Sequence, residues 1–292
     1  MELPSIELPW KPAHIVPVGD IQWAGDDEAV ALSHLKEYLA RALEWRKQGD
    51  TVLFLGMGDF VDFASPSNRA RIESANLYDT ALQVIDDAAR GLASDLFAHV
   101  LRPTVDHWIG LLQGHHWKRF LTGETTDTYL SNLLKTRFLG DTACIRLVFK
   151  LASRGQRHHY IPFTLFAAHG CGNGQTGYYP VGRLEKVAAD WEYIDVFLMG
   201  HTTKQAVEFR NRLRPRWNRK GRPDLSHRKV TLVGTGGFSK TYVEHAMQGN
   251  YAGGGYAEKR LLSPAILGSP IVHIRPRCLH GGFLALDYTV EG

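Results

Sequence analysis

The chain has little cysteine and no long apolar run, and each shortage excludes a class of protein. Three cysteines in 292 residues (Cys144, Cys171 and Cys278) are too few for the disulfide framework of a secreted domain. No run approaches the ~18 consecutive apolar residues that a membrane span requires. The acidic, proline-containing first residues also lack the basic head and apolar stretch of a signal peptide. We therefore expect a cytoplasmic protein with no membrane partner.

The rest of the composition is that of an ordinary globular protein. Hydrophobic residues make up 44% of the chain, charged residues 22% and aromatic residues 11%, which excludes a disordered chain and a coiled coil. The length allows one large α/β domain, and the short connections leave no room for a linker between domains. We expect a single domain over residues 1–292. The fourteen histidines and the net charge of +4 are informative only once they are located along the chain.

Apolar strand patterns alternate with amphipathic helical patterns over the first two hundred residues. The pattern predicts strands at residues 14–19, 51–59, 108–113 and 196–200, and a hairpin that joins residues 145–152 to 158–168. It predicts helices at residues 26–47, 74–101, 127–138 and 181–191. A strand-rich tail follows, with strands at residues 229–238 and 270–276. This order predicts two sheets packed face to face with helices outside, an α/β/β/α sandwich.

Carboxylate and imidazole side chains follow five of the predicted strands, at the point where each strand ends. In open α/β sheets, ligands bind at the carboxyl ends of the strands. A single aspartate or histidine there is most often a turn or cap residue, but five strand ends in succession indicate a shared site. The residues, in chain order, are Asp20 with Gln22, Asp59 with Asp62, His115 with His116, His169, and His201.

Five short motifs around these residues resemble the signature blocks of the calcineurin-like metallophosphoesterases. The motifs VGDIQW, GDFVD, GHHW, AAHG and GHTT occur in the family's order and span residues 14–203. The family blocks read D-x-H, GD-x-x-D, GNH-D/E, a lone H and GHxH. The resemblance implies a two-sheet sandwich of the metallophosphoesterase type and hydrolysis of phosphate esters with two metal ions. Residues 256–259 (Tyr-Ala-Glu-Lys) are similar to a stretch in phage members and favour the phage and nuclease-like branch.

The resemblance also implies a metal-binding role for each matching residue. Asp59 corresponds to the carboxylate that bridges both metals, and Asp20 to a ligand of the first metal. His169 and His201 correspond to ligands of the second metal, and His115 stands at the position of the family's Asn ligand.

Two further residues match the family's acid catalyst and its partner. His116 corresponds to the histidine that protonates the leaving oxygen, and Asp62 to the residue that orients it. Either of the adjacent histidines His115 and His116 could be the ligand or the acid. The alignment of Gly114 with the family glycine favours His115 as the ligand.

Two departures from the family blocks fall on the same metal. Gln22 replaces the histidine of the first block, and Thr203 replaces the last histidine of GHxH. The first site would then offer only oxygen ligands, which suit Mg²⁺ or Mn²⁺, whereas the second would offer three imidazoles and a carboxylate, suited to Zn²⁺, Mn²⁺ or Fe²⁺. We expect two divalent ions, with Mn²⁺ favoured and the first site weaker than the second.

The positive charge of the chain is concentrated in residues 210–229, here called the basic segment. It carries nine Lys or Arg residues against Asp224 alone, a net charge of +8 within a chain of +4. Arginine interleaved with aromatic residues suits a polyanion with stackable bases, although a solvated hairpin is an equal alternative. Because the segment follows His201 closely, we expect it to lie beside the metal site and to bind substrate. The proposed contact residues are Arg210, Arg212, Arg214, Arg216 and Trp217.

These features together predict a metal-dependent phosphodiester hydrolase that acts on nucleic acid or a nucleotide phosphodiester. One alternative is a phosphomonoesterase for nucleotides or small phosphate esters. The other is a scaffold of the same family that has lost efficient catalysis and serves as a binding module, an alternative that the altered Gln22 and Thr203 keep open. The oligomeric state, the exact substrate and the strand preference are left open.

Overall fold

The computed structural model describes residues 1–25, 30–152, 158–172, 174, 176–217, 221–242, 261, 263–280 and 283–292. This part of the chain forms two six-stranded sheets and five α-helices. The strands are β1 (Ser5–Pro9), β2 (Ala13–Val18), β3 (Thr51–Gly56), β4 (Trp108–Leu112), β5 (Phe138–Gly140), β6 (Thr142–Ala152), β7 (His158–Ala168), β8 (Val196–Met199), β9 (Gln205–Trp217), β10 (Pro223–Thr235), β11 (Ile271–Cys278) and β12 (Leu284–Glu291). The helices are α1 (Leu32–Lys47), α2 (Pro66–Ser74), α3 (Asp79–Leu96), α4 (Thr126–Leu133) and α5 (Tyr179–Ala189).

The two sheets have different strand orders but share a parallel centre. The first sheet has the order β1-β6-β7-β8-β10-β9, and β7, β8 and β10 run parallel in it. The second has the order β12-β11-β2-β3-β4-β5, in which β2 to β5 run parallel. Antiparallel hairpins β6–β7, β9–β10 and β11–β12 complete the sheets. The predicted mixed α/β fold with two sheets is confirmed.

Three apolar layers hold the sheets and helices together. The layer between the sheets contains Ile15, Leu55 and Leu198 among other fully buried side chains. A second layer packs α1, α3 and α4 on one sheet, and a third packs α5 on the other. Because both faces of the central strands are covered, β2, β4 and β8 are buried along their whole length, which explains their unbroken apolar sequences.

Three predicted helices had wrong boundaries. The first begins at Leu32, after Val30 has formed a β-bridge with Ser239, while residues 26–29, where the start was predicted, lie outside the described residues. The second begins at Asp79 rather than at residue 74, because Asn76 before it has a left-handed backbone (φ 47°), and α3 continues into a π-helical turn; α2, which ends at Ser74, was not predicted. The last predicted turns of the third are replaced by Lys135 (φ 53°) and the short strand β5.

Besides β5, three strands were not predicted: β1, β9 and β12. β1 and β12 are edge strands, each with one neighbour, and their sequences lack a continuous apolar run. The basic segment was expected as an insertion or hairpin at about residues 209–229, and it forms the outer part of the longer β9–β10 hairpin. No helix in the described ranges combines the length and the apolar character needed to cross a membrane.

Candidate metal centre

The carboxyl ends of five strands from both sheets meet at one end of the sandwich. Asp20, Asp59 and His115 follow the adjacent parallel strands β2, β3 and β4 of one sheet. His169 and His201 follow the adjacent parallel strands β7 and β8 of the other. Parallel neighbours deliver their carboxyl ends to the same edge, so the stacking of the two sheets brings both groups together.

Four of these side chains form a compact group, here called the metal cluster: Asp59, His115, His169 and His201. One potential ligand atom from each lies within 4.8 Å of every other. The imidazole rings are close and nearly perpendicular, with the centroids of His115 and His201 4.5 Å apart. The Nδ1 atoms of His115 and His201 are separated by 3.0 Å. Three imidazoles and one carboxylate in this arrangement can hold a divalent metal ion.

The imidazole of His169 is oriented for metal binding by the backbone behind it. Its Nδ1–H donates to the carbonyl oxygen of Met57 at 2.6 Å, which turns Nε2 towards Asp59. Nε2 approaches Asp59 Oδ2 to 3.2 Å, yet it forms no hydrogen bond with the described residues. A ring nitrogen fixed in this way by a partner on the opposite nitrogen is the usual arrangement of a histidine ligand.

Asp59 is held by the loop that carries the next two histidines. Its Oδ1 accepts hydrogen bonds from the backbone N–H groups of His115 and, at 3.0 Å, His116. Burial alone would raise the pKa of Asp59, but His169 and these N–H groups hold it well below the ordinary value. The carboxylate is therefore charged, with Oδ2 facing the cluster.

The histidines of the cluster have opposite protonation tendencies. Burial, together with the neighbouring imidazoles of His169 and His115, lowers the pKa of His201 to about 4. Burial also lowers the pKa of His115. Burial opposes the charged form of His169, but Asp59 and Asp20 raise its pKa to about 9. A cation bound by Asp59 and His169 would therefore displace one proton from His169.

Asp20 is a buried carboxylate beside the metal cluster. It is fully buried, and its Oδ2 accepts the backbone N–H of His201 at 2.8 Å. Oδ1 has no hydrogen-bond partner among the described residues. Burial raises the pKa of Asp20 to about 7. A buried carboxylate oxygen without a donor is costly unless a cation neutralises it.

Gln22 and Thr203, the two residues that depart from the family blocks, have different surroundings. The amide oxygen of Gln22 accepts from the Ser239 hydroxyl at 3.2 Å, so this side chain is already engaged. Thr203 lies two residues after His201, in the loop that joins β8 to β9.

Five residues at these strand ends have a left-handed backbone, which non-glycine residues rarely adopt. Their φ angles are 48° for Asp20, 55° for Gln22, 51° for Asp59, 66° for His201 and 50° for Thr203. Such strain persists where the surrounding structure imposes it, and it concentrates at functional sites. The left-handed backbone thus coincides with four of the predicted strand-end residues, Asp20, Gln22, Asp59 and His201.

A glycine allows the two loops of the site to touch. A Cβ atom on Gly114 would lie 2.1 Å from the backbone nitrogen and from Oδ1 of Asp59. The loop after β4 can approach Asp59 this closely only because residue 114 has no side chain.

His116 points to a different partner from His115. Its Nδ1 lies 2.7 Å from Asp62 Oδ1. This hydrogen bond is the main reason why the pKa of His116 is raised above its ordinary value. The two adjacent histidines are therefore separated into one member of the metal cluster and one imidazole paired with a carboxylate.

Two residues of the site were missed by the sequence reasoning. Asp127, buried at the start of α4, accepts the backbone N–H of Gly114 at 3.0 Å. Arg69 of α2 donates to the backbone carbonyls of Ala64, His115 and Trp117, and its guanidinium lies 4.1 Å from the centroid of the Trp117 ring. Both hold the loop of His115 and His116 in place. No motif signals either residue, although Asp127 lies within the capping box that Thr125 and Thr128 form.

The basic segment does not lie where the sequence reasoning put it. Gln205 and Thr235 are paired at the end of the hairpin near His201, but Phe209 is already level with Val196, the first residue of β8. Arg210 to Trp217 continue past the opposite end of the sheet. At ~3.3 Å per residue, Trp217 is roughly 40 Å along the strand from Gln205. The expectation that the segment flanks the metal site is wrong.

The proposed contact arginines bond largely to the protein itself. Arg210 pairs with Glu185 at 3.1 Å and contacts Tyr178, and Arg212 donates to the carbonyl of Trp191 at 2.6 Å. Arg214 lies over the Tyr193 ring at 5.2 Å. Arg216 occupies the register position opposite Asp224, while Arg219 and Lys220 lie outside the described residues. Trp217, in contrast, has 69% of its surface exposed.

No protein-family model matches the chain, and its sequence matches no curated protein. What the site can do therefore has to be argued from its geometry.

Proposed function

We propose that this protein is a metal-dependent phosphodiester hydrolase of the calcineurin-like metallophosphoesterase type, and that its substrate is a nucleic acid. One observation carries the proposal. Three imidazoles and the Asp59 carboxylate converge within 4.8 Å, next to the buried Oδ1 of Asp20, which has no partner among the described residues. A structural cluster would not need an adjacent histidine and carboxylate pair, yet His116 and Asp62 lie beside it.

The donor sets support two divalent ions of unequal affinity. Asp59, His115, His169 and His201 would hold the tighter ion, for which Mn²⁺, Zn²⁺ and Fe²⁺ are all suitable. The second ion would be held by Asp20, Gln22 and an oxygen of Asp59. Oxygen ligands favour Mn²⁺ or Mg²⁺. This ion would be bound more weakly, because Gln22 is neutral and is also hydrogen-bonded to Ser239. Thr203 or water would complete that site.

The chemistry divides between the bound ions and the chain's own residues. Bound divalent ions supply Lewis acidity and lower the pKa of water, which provides the nucleophile for in-line attack on phosphorus. Asp62 holds Nδ1 of His116, so the opposite nitrogen, Nε2, is the atom that can protonate the departing oxygen. Asp127 and Arg69 keep the loop of His116 at a fixed position relative to Asp59.

The phosphomonoesterase alternative lacks an observation of its own, but the binding-module alternative has one. Gln22 and Thr203 stand where imidazole ligands would make the first site strong. Against it, Asp20, Asp59, His116, His169 and His201 keep the chemistry of an active site. The three cysteines are free thiols, which supports a reducing cytoplasmic setting.

One pair of substrates separates the three functions. We expect Mn²⁺-dependent hydrolysis of bis(p-nitrophenyl) phosphate at a higher kcat/KM than that of p-nitrophenyl phosphate. The reverse preference would favour the monoesterase. Metal binding without hydrolysis of either ester would contradict catalysis and leave the binding module.

A further inference from the structure

The outer part of the β9–β10 hairpin is a two-stranded ribbon that extends beyond the sheet. β8 pairs with β10 only between residues 196–199 and 231–234. Residues 209–217 and 223–231, here called the ribbon, remain paired with each other from Phe209 and Thr231 to Trp217 and Pro223. The ribbon therefore has two faces outside the layers of the sandwich.

The two faces differ in chemistry because side chains alternate along a strand. Arg210, Arg212 and Arg214 share one face with Arg228, which pairs with Asp195 at 2.9 Å. This face is turned to α5 and the loop of residues 190–195, which neutralise or cover much of it. The arginine face of the ribbon is thus less available for binding a partner than the opposite face.

The opposite face is apolar and open. Phe209, Leu213 and Trp217 lie on it at four-residue intervals, with 51%, 56% and 69% of their surfaces exposed. Leu225, His227 and Lys229 of β10 share this face. At ~3.3 Å per residue, the three large β9 side chains are spaced roughly 13 Å apart along the ribbon.

A groove joins the inner end of this face to the hairpin β11–β12. It encloses about 540 Å³ and is lined by His227 and Lys229 of β10, Arg275 and Arg277 of β11, and Tyr288 of β12. Lys229 Nζ donates to the carbonyl of Tyr288 at 2.7 Å and lies 3.8 Å from the centroid of its ring.

The charge of the groove is positive after its ion pairs are subtracted. The two acidic residues of the lining are both engaged, Asp195 with Arg228 and Asp287 with Arg277 at 2.8 Å. Lys229 and Arg275 carry the remaining charge. Cations at one end and exposed aromatic rings along the face are complementary to a polyanion that has flat apolar groups.

We infer that the groove and the open face of the ribbon bind single-stranded nucleic acid. Unpaired bases can stack on Trp217 and Phe209 while phosphates lie near Lys229 and Arg275. A duplex keeps its base faces stacked on each other and would leave the aromatic rings unused. This inference rests on the proposed function, since it specifies the substrate class of that activity.

Charge argues against a second copy of the chain as the occupant. The ribbon carries six Lys or Arg residues against Asp224 alone, so a contact between two ribbons would bring like charges together. A long edge strand that carries arginines is also protected against edge-to-edge pairing. A nucleic acid gains from the same charge.

Binding of a fluorescein-labelled 20-nucleotide oligo(dT) to the full chain tests the inference by anisotropy, with and without Mn²⁺. Replacing Trp217→Ala and Arg275→Ala together should weaken binding roughly tenfold or more and make it less sensitive to salt. The control variant carries Tyr78→Ala, which removes an exposed aromatic ring just before α3, and Lys36→Ala, which removes an exposed cation from α1. It should bind as the wild type does.

Hydrolysis of bis(p-nitrophenyl) phosphate separates this inference from the proposed function, because a small ester does not need the groove. The groove variant should keep that activity.

Equal binding by wild type and groove variant would overturn the inference, as would tighter binding of a duplex of the same length. A dimer in sedimentation that Trp217→Ala dissolves would also overturn it and assign the face to self-association. Oligonucleotide binding without any esterase activity would support nucleic-acid binding by the groove and contradict the proposed hydrolase function.

Discussion

At the scale of single residues, the adjacent histidines His115 and His116 have different partners and different tasks. His115 belongs to the metal cluster, with Nδ1 3.0 Å from that of His201. His116 is bonded to Asp62, outside the cluster. Their backbone N–H groups nevertheless share one acceptor, Oδ1 of Asp59. The proposed ligand and the proposed acid are thus bonded through their backbone to a single carboxylate.

Substitution of His116 and of Asp59 should separate catalysis from metal binding. His116→Ala should lower kcat on bis(p-nitrophenyl) phosphate by ~10²–10⁴-fold while the metal content is retained, because only the proton donor is lost. Asp59→Asn keeps an acceptor for the two N–H groups but removes the charge, so metal and rate should be lost together. Metal content by inductively coupled plasma mass spectrometry and steady-state kinetics measure the two effects. If His116→Ala emptied the site, the roles of the two histidines would have to be exchanged.

At the scale of secondary-structure elements, the site depends on helices that contribute no ligand. The capping box of Thr125 and Thr128 starts α4 so that Asp127 reaches Gly114. Arg69 of α2 binds the same loop from the other side. The loop after β4 is therefore supported from two elements, and its position can be tested through either.

Substitution of Asp127 should show how much the α4 contact stabilises the fold. Burial raises the pKa of Asp127 to about 7, so an amide is a close replacement for the protonated acid. Asp127→Asn should retain most of the stability, whereas Asp127→Ala leaves the buried N–H of Gly114 without an acceptor and should cost ~1–3 kcal/mol. Urea denaturation of both variants measures the difference. Equal losses would show that the hydrogen bond to Gly114 contributes little.

A buried histidine pair joins β2 to β11 far from the metal centre and predicts a pH effect on stability. His14 Nδ1 lies 2.7 Å from His273 Nδ1, and His14 Nε2 lies 2.9 Å from Asp50 Oδ2. Burial, with His14 and Arg275 nearby and Glu291 opposing, lowers the pKa of His273. The unfolded chain then binds more protons than the folded chain as pH falls through the ordinary histidine pKa of ~6.5, so this contribution to stability is lost towards low pH.

The variant His273→Phe isolates this effect, because phenylalanine does not titrate and can still contact Trp45. Between pH 7 and pH 5 the wild type should lose free energy of unfolding more steeply than the variant, by at most ~1.4 kcal/mol per pH unit for one proton. Urea denaturation at a series of pH values gives both curves. Parallel curves would mean that His273 takes up its proton equally well in the folded state.

At the scale of the whole molecule, the metal centre connects the two sheets. Asp59 and His115 come from one sheet, and His169 and His201 from the other. An ion held by all four would tie the carboxyl ends of β3 and β4 to those of β7 and β8. Metal binding is therefore expected to stabilise the entire fold as well as to serve catalysis.

Removal of the metal should lower the melting temperature, and the two sites should release their ions separately. Extensive dialysis should leave one tightly held ion per chain, because the His-rich site is the stronger one. Removing that ion with a chelator and then adding Mn²⁺ at about a hundred times the Kd of the His-rich site should increase the free energy of unfolding by ~2.7 kcal/mol over the metal-free chain. Metal counting and thermal denaturation test both statements. Two equally retained ions would contradict the asymmetry, and an unchanged melting temperature would contradict a link between the sheets.

The parts of the molecule that could be predicted are those that local sequence determines. Continuous apolar runs end at Asp20, Asp59 and His201, so the strands and the residues at their ends were identified together. Asp127 and Arg69 were missed because they act through backbone groups that are distant in sequence. The basic segment was misplaced because the eight residues between His201 and Arg210 do not reveal the direction of the chain. The strand β9 runs away from the metal cluster and takes the basic segment with it.

The left-handed backbone at Asp20, Asp59 and His201 has a consequence for engineering. Each such residue costs of order 1–3 kcal/mol, which glycine would largely recover because it has no Cβ. Glycine in place of His201 would also remove an imidazole of the metal cluster, whereas glycine in place of Asp20 or Asp59 would in addition leave backbone N–H groups without their acceptor. A library selected only for heat resistance in a chelating buffer would therefore be enriched in variants that have lost the metal centre. Stabilisation of this protein should begin elsewhere, and every round of selection should include a metal-dependent readout.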